Sequence, residues 1–213
     1  MMQVPGNSYC HRGGTEPLLG ATIPEHFTAI AARFPDNEAI VSVHQQRRLG
    51  YAELAGAVEQ LARGLLGAGF GKGDRIGIWS TNNIEWLLLQ LATAHIGAVL
   101  VNINPAYRPR ELAYALERSE VQGLFVIPAF RSSDYVAMLS KLLPELHQAG
   151  ESLSCEALPN LRRVVVYDPA APEATARPLP GFTVWAQLLA AAEGVTQAAL
   201  EEASALLDMD DAI

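Results

Sequence analysis

Four short apolar runs, beginning at Arg75, Ala98, Val121 and Arg162, constrain this chain most, because helical segments separate them. Continuous apolar runs of that length read as strands buried on both faces. Strands that alternate with helices build a parallel sheet with helices packed on it. The fold class that follows is α/β, a mainly parallel sheet flanked by helices.

The intervening segments carry their own signals. Phe27, Ile30, Ala31 and Phe34 share one face of a helix over Thr22–Phe34, with Pro24 in its first turn, where the missing N–H costs little. Ala39–Val43 and Arg47–Leu49 read as a hairpin around His44-Gln45-Gln46. Gly50 starts a helix with Glu53 at the capping-box position and the stripe Leu54, Val58, Leu61, Leu65, Leu66. Ser80-Thr81-Asn82-Asn83 caps a helix over Ile84–His95, and further helices are expected at Arg110–Ser119, Asp134–His147, Val184–Ala192 and Gln197–Leu206. Strands are expected at Arg75–Trp79, Ala98–Val101, Val121–Ile127 and Arg162–Tyr167. Residues 1–20 read as a polar lead, and 150–159 and 169–180 as loops.

Composition excludes several function classes. The chain has 213 residues, half of them hydrophobic, so intrinsic disorder is excluded and a sizeable core is expected. A net charge of -8 argues against a nucleic-acid partner, which needs clustered Lys and Arg. Cys10 and Cys155 are too few for a disulfide framework, so a reduced, cytoplasmic protein is expected. The apolar stretch Ile84–Ile103 has about the length of a membrane span, but Glu85, Gln90, His95 and Asn102 interrupt it. A buried helix followed by a buried strand explains it better, and no transmembrane segment is expected.

A search for chemistry returns little. The histidines have no metalloprotease spacing, Cys10-His11 supplies half of a tetrahedral set at most, and His95 reads as a hydrogen-bonded core residue. Cys155 lies beside Glu156 and lacks the basic neighbours of a nucleophilic thiolate. No G-x-S-x-G or G-x-G-x-x-G motif is present. The glycines of Gly67–Asp74 follow a helix and precede a strand, the reverse of a phosphate loop, so they read as a helix stop and turn. Asp208, Asp210 and Asp211 read as a solvated acidic turn. The one local hint of binding is Arg108 and Arg110, flanking Pro109 in a loop after an apolar strand. Ligands of open α/β sheets sit beyond the carboxyl ends of strands, and two guanidinium groups there suit a phosphate. Solvated arginines at a helix start are the plainer alternative.

Several blocks in a fixed order resemble the adenylate-forming (AMP-binding) acyl-CoA synthetases. They are Tyr51-Ala52-Glu53-Leu54, Lys72-Gly73-Asp74-Arg75 with Ile76 and Ile78, Asn82 with Glu85-Trp86, Gly97-Ala98, and Val101-Asn102-Ile103-Asn104-Pro105-Ala106-Tyr107-Arg108 followed by Glu111-Leu112. The Asn-Pro-Ala-Tyr-Arg block, with Pro128-Ala129-Phe130 and Ser133-Asp134-Tyr135, is most similar to medium- and long-chain fatty-acid ligases. Gly50 stands where that family often has Thr, and Thr81 where Pro is common; both are capping sites and bear on stability.

The resemblance implies a two-step reaction. A fatty acid or related carboxylate attacks the α-phosphate of ATP with Mg²⁺, and the thiol of CoA then displaces AMP. It further implies that residues 21–213 form the α/β N-terminal subdomain, ending before the ATP phosphate loop, so that the segment alone is inactive and holds no catalytic or metal residue. On this reading Arg108, with Arg110 second, contacts the 3′-phosphate of CoA. Some members dimerise through this region, which leaves a homodimer open. The alternative, motivated by the lack of a complete catalytic set, is a non-enzymatic flavodoxin-like interaction or binding module.

Overall fold

The computed structural model describes residues 19–148, 152–170 and 179–213. Cys10, His11 and most of the polar lead lie outside the described residues, as do parts of both expected loops. The chain opens with α1 (Ile23–Arg33), capped by a reciprocal box between Thr22 and Glu25. The hairpin β1 (Glu38–Ser42) and β2 (Arg47–Gly50) follows, antiparallel as expected. It runs directly into α2 (Tyr51–Gly67), where the Gly50 N–H donates to Glu53 Oε2 at 2.9 Å.

The main sheet holds β3 (Arg75–Trp79), β4 (Val99–Ile103), β5 (Gly123–Val126), β8 (Arg163–Val166) and β9 (Thr183–Val184). Its order is β4-β3-β5-β8-β9, and every pairing is parallel. β3 connects to β4 on one side through α3 (Ile84–Ile96), and β4 returns past β3 to β5 through α4 (Pro109–Arg118). Crossovers of one hand that run in opposite directions put their helices on opposite faces. A short ribbon, β6 (Ala129–Phe130) and β7 (Ser133–Asp134), precedes α5 (Tyr135–Leu142). The chain then closes with α6 (Trp185–Ala190) and α7 (Gln197–Ala205).

The core forms where apolar strands meet helix stripes. Leu54, Val58, Leu61 and Leu65 of α2 are buried, with Leu66 half-buried at the margin. β5 is buried along its whole length, as a central parallel strand should be. The glycine run is a turn: Gly69 and Gly73 adopt left-handed backbone, and the Gly73 N–H donates to the Gly97 carbonyl at 2.8 Å. Asp74 then clips the amino-terminal edge of the sheet, accepting from Gly71 N–H at 2.9 Å and Arg162 Nη2 at 2.6 Å.

Three expectations are corrected, and three short strands were not expected. The helix expected over Asp134–His147 is α5 followed by a 3₁₀ segment, Pro144–Gln148, because Pro144 has no N–H to continue the ladder. The strand expected at Ala98–Val101 is Val99–Ile103, starting one residue later and ending two later, since Gly97 and Ala98 complete the end of α3. The helix expected at Val184–Ala192 turns 3₁₀ from Ala191. The ribbon β6–β7 and the edge strand β9 carry no apolar run long enough to read.

Candidate functional site

A sheet whose strands run 2-1-3-4-5, counted in chain order from β3, reverses direction between β3 and β5. Crevices outside the carboxyl ends of strands at such a reversal are where open α/β sheets bind ligands. A cavity of about 530 Å³ opens at this edge, lined by His44, Ser80, Thr81, Asn82, Trp86, Pro105 and Phe130. The loops after β3, β4 and β5 and the β1–β2 turn thus converge on one space.

The crevice floor is rigid. Trp79, the last residue of β3, stacks on Tyr135 with ring centroids 3.6 Å apart and planes within 4°. Trp79 Nε1 donates to the Asn104 carbonyl at 3.1 Å, and the Tyr135 hydroxyl to the Pro105 carbonyl at 2.5 Å. These two bonds fix the Asn104–Arg108 loop against the sheet. Burial pushes the Tyr135 phenol up to about 12, so it stays a donor at neutral pH. Burial also raises Tyr167 well above the ordinary phenol; its hydroxyl lies near Ser80 and Asn83 but makes no hydrogen bond.

The rim is tied down by α3. Asn83 caps it, its Oδ1 accepting the Trp86 N–H at 2.8 Å. Glu85 in the first turn is buried, and its carboxylate meets Arg47 Nη1 at 2.8 Å and Gln45 Nε2 at 2.9 Å. The sequence offered Glu85 as an interruption of an apolar stretch and as part of the Glu85-Trp86 motif block, with no indication of what it pairs with. Its partners stand 38 and 40 residues away, and no local pattern announces them.

Arg108 and Arg110 stand where the sequence put them, exposed at the start of α4 and beyond the end of β4. Arg108 is the N-cap: its N–H donates to Glu111 Oε2 at 2.8 Å, and Nη1 reaches Ser133 Oγ at 2.8 Å. Arg110 makes no side-chain hydrogen bond or ion pair with the described residues. Neither arginine lines the cavity; Arg108, bonded to the β6–β7 ribbon next to it, and Arg110 each present guanidinium N–H groups at the surface.

The remaining candidates do not join this site. His95 is half-buried at the far end of α3, and its carbonyl, not its ring, takes the Ser204 hydroxyl at 2.8 Å. Cys155 is buried. Asp211 pairs with Lys72 at 2.6 Å and accepts the Asp208 N–H, forming a turn at the opposite edge. Among the described residues no group of His, Cys, Asp or Glu gathers as a metal site, and no helix is long and apolar enough to cross a membrane.

Comparison with known proteins agrees with the sheet and with the motif series. The AMP-binding enzyme family matches residues 27–205. The mouse mitochondrial medium-chain acyl-CoA ligase ACSF2 is 38% identical over 191 residues, covering 89% of this chain and 30% of that protein. A Rhodopseudomonas palustris structure with the provisional designation long-chain-fatty-acid CoA ligase superposes with a TM-score of 0.61 at 25% identity, over 81% of this chain and 37% of that one. The anthranilate CoA ligase AuaEII, bound to anthranoyl-AMP, shares the fold at a TM-score of 0.63 and 17% identity, over 82% of this chain and 29% of its own. The chain spans about 30% of the length of the curated relatives it matches. With the family matched over most of its length, the chain belongs to the AMP-binding enzymes.

Proposed function

We propose that this chain serves an ATP-dependent acyl-CoA synthetase that activates medium- to long-chain carboxylic acids, forming the acyl-adenylate and then the CoA thioester. The observation that carries this reading is the 38% identity to a medium-chain acyl-CoA ligase across 89% of the chain. The crevice supports it, because it lies where this sheet topology receives ligands.

Arg108 and Arg110 fit a phosphate group, being exposed, two residues apart and without a carboxylate partner among the described side chains. They would hold the 3′-phosphate of CoA beside the crevice and orient its thiol arm. CoA supplies the nucleophilic thiol when bound. No residue here is assigned to ATP or Mg²⁺, since the sequence holds no Ser/Thr/Gly-rich loop ending in Lys. What the chain contributes is positioning, which carries much of the rate in reactions of this kind. A cytoplasmic location goes with this reading, resting on two cysteines, of which Cys155 is a buried free thiol.

The test is pyrophosphate release with ATP, Mg²⁺ and octanoate, followed by CoA-dependent release of AMP. It is run on the complete product of the gene and on these 213 residues alone. Both half-reactions in the complete product and neither in the isolated chain is the expected result. A complete product inert toward carboxylates of every length overturns the ligase reading, and turnover by the isolated chain overturns the assignment of catalysis to other residues.

A further inference from the structure

Two hairpins overhang the crevice, and each lends it one ring: His44 from the β1–β2 turn and Phe130 from the β6–β7 ribbon. Each turn also holds a non-glycine residue in left-handed backbone, Gln46 at φ 53° and Arg131 at φ 53°. Such conformations persist only where surrounding contacts over-determine them, and they cluster at ligand clamps.

In the β1–β2 turn those contacts converge on Gln45. Its Oε1 accepts the Ser42 hydroxyl at 2.8 Å and the Ile84 N–H at 2.9 Å. Its Nε2 donates to Glu85 Oε2 at 2.9 Å and to the Pro169 carbonyl at 3.2 Å. A carboxamide offers two N–H groups and two lone pairs, and here every one is used. One side chain therefore joins the turn, the first turn of α3 and the loop after β8. Arg47 adds a second tie to Glu85. The other end of the hairpin is fixed differently: Gly50 is both the last residue of β2 and the N-cap of α2. The hairpin is thus anchored at its base and latched at its tip.

We propose that Gln45 is the positioning residue of the crevice's outer wall. The β1–β2 turn, the start of α3 and residues 168–170 open and close as one latched unit, and release of Gln45 admits a ligand on that side without unfolding the sheet. This holds whatever ligand the crevice takes, so it stands apart from the ligase reading.

The test is native-state amide hydrogen exchange on this chain under increasing sub-denaturing urea. In the wild type, amides of 38–50, 84–86, 168 and 170 should merge onto one opening isotherm lying below that of β3 and β5. Gln45→Ala should speed exchange in all three segments by roughly tenfold or more, as expected for a lost hydrogen bond to a charged group, and leave β3 and β5 unchanged. Gln45→Glu keeps the acceptor bonds to Ser42 and Ile84 but removes the donors to Glu85 and Pro169, so it should speed exchange at 84–86, 168 and 170 at least as much as Gln45→Ala. A mere packing role, which the isosteric Gln45→Glu preserves, predicts no change in that variant. Acceleration confined to 38–50, acceleration throughout the sheet, or unchanged exchange in Gln45→Glu overturns the proposal. Should Gln45→Ala not fold, the wild-type isotherms decide, and three unrelated isotherms reject the latch.

Discussion

Arg108 works at both ends. Its N–H caps the start of α4 through Glu111, and its guanidinium reaches across to Ser133 on the β6–β7 ribbon. The backbone role needs no particular side chain, so the arginine itself is left for the surface beside the crevice. Replacing Arg108 and Arg110 together with Ala in the complete gene product should raise the KM for CoA by about 10- to 100-fold, the range for losing hydrogen bonds to a charged group. The rate of pyrophosphate release should stay as it was, because adenylation precedes CoA. Steady-state kinetics at fixed ionic strength checks both, and an unchanged KM for CoA removes the arginines from the site. The sequence located these two residues because a strand end and a helix start bracket them. It placed Gln45 in a hairpin turn and Glu85 in a motif block but did not show their pairing, because the partners stand far apart along the chain.

Helix α2 shows what its own sequence cannot reveal about an element. Its leucine stripe is legible, but Gly67 reads only as the start of a helix stop, and Gly64 carries no signal of its own. In the fold they are contact points. A Cβ on Gly64 would stand 2.5 Å from the Leu188 carbonyl, and one on Gly67 would stand 2.3 Å from that of Ala191, so α6 and the turn after it lie directly on this glycine face. Gly67→Ala should therefore destabilise by about 1–3 kcal/mol, the usual result of overpacking. Gly56 is the control, since a Cβ there meets nothing within 4 Å. Gly56→Ala should stabilise by about 0.5–1 kcal/mol through helix entropy alone. Urea denaturation read as shifts in midpoint at constant slope distinguishes the two signs. A fall in stability for both would mean that α2 does not pack as described. The break in α5 is the complementary case, for Pro144 was in plain view and the apolar period carried the expected helix straight through it.

The whole molecule should lose stability on mild acidification, and His95 is the cause. Burial lowers its pKa below the ordinary 6.5, so the unfolded chain binds a proton that the folded one refuses. The contribution is fully present above pH 6.5 and is lost as the pH falls from there through the lower folded value. The lowered carboxylates, Glu25 and Asp211, act the same way but only below their ordinary values of 4.5 and 3.8. Urea midpoints measured from pH 7.5 downward should decline beginning near pH 6.5. His95→Gln should flatten that decline while leaving the steeper fall at lower pH. A profile that the substitution does not change would place the titrating group elsewhere.

At this scale the sequence by itself determined the fold class, the parallel strands and most helices. Apolar periodicity and capping chemistry are local, and each is complete within a window of a few turns. The ordered motif blocks also pointed to the family, and the match over residues 27–205 agrees. Only the tertiary structure decided the strand order and with it the position of the crevice between β3 and β5. It alone joined Gln45, Arg47 and Glu85, and it alone placed His44 and Phe130 across one cavity. The physical reason is range. A strand's period tells which faces it buries but not which strand lies beside it, and a polar side chain finds its partner through the fold, at separations no sequence window spans.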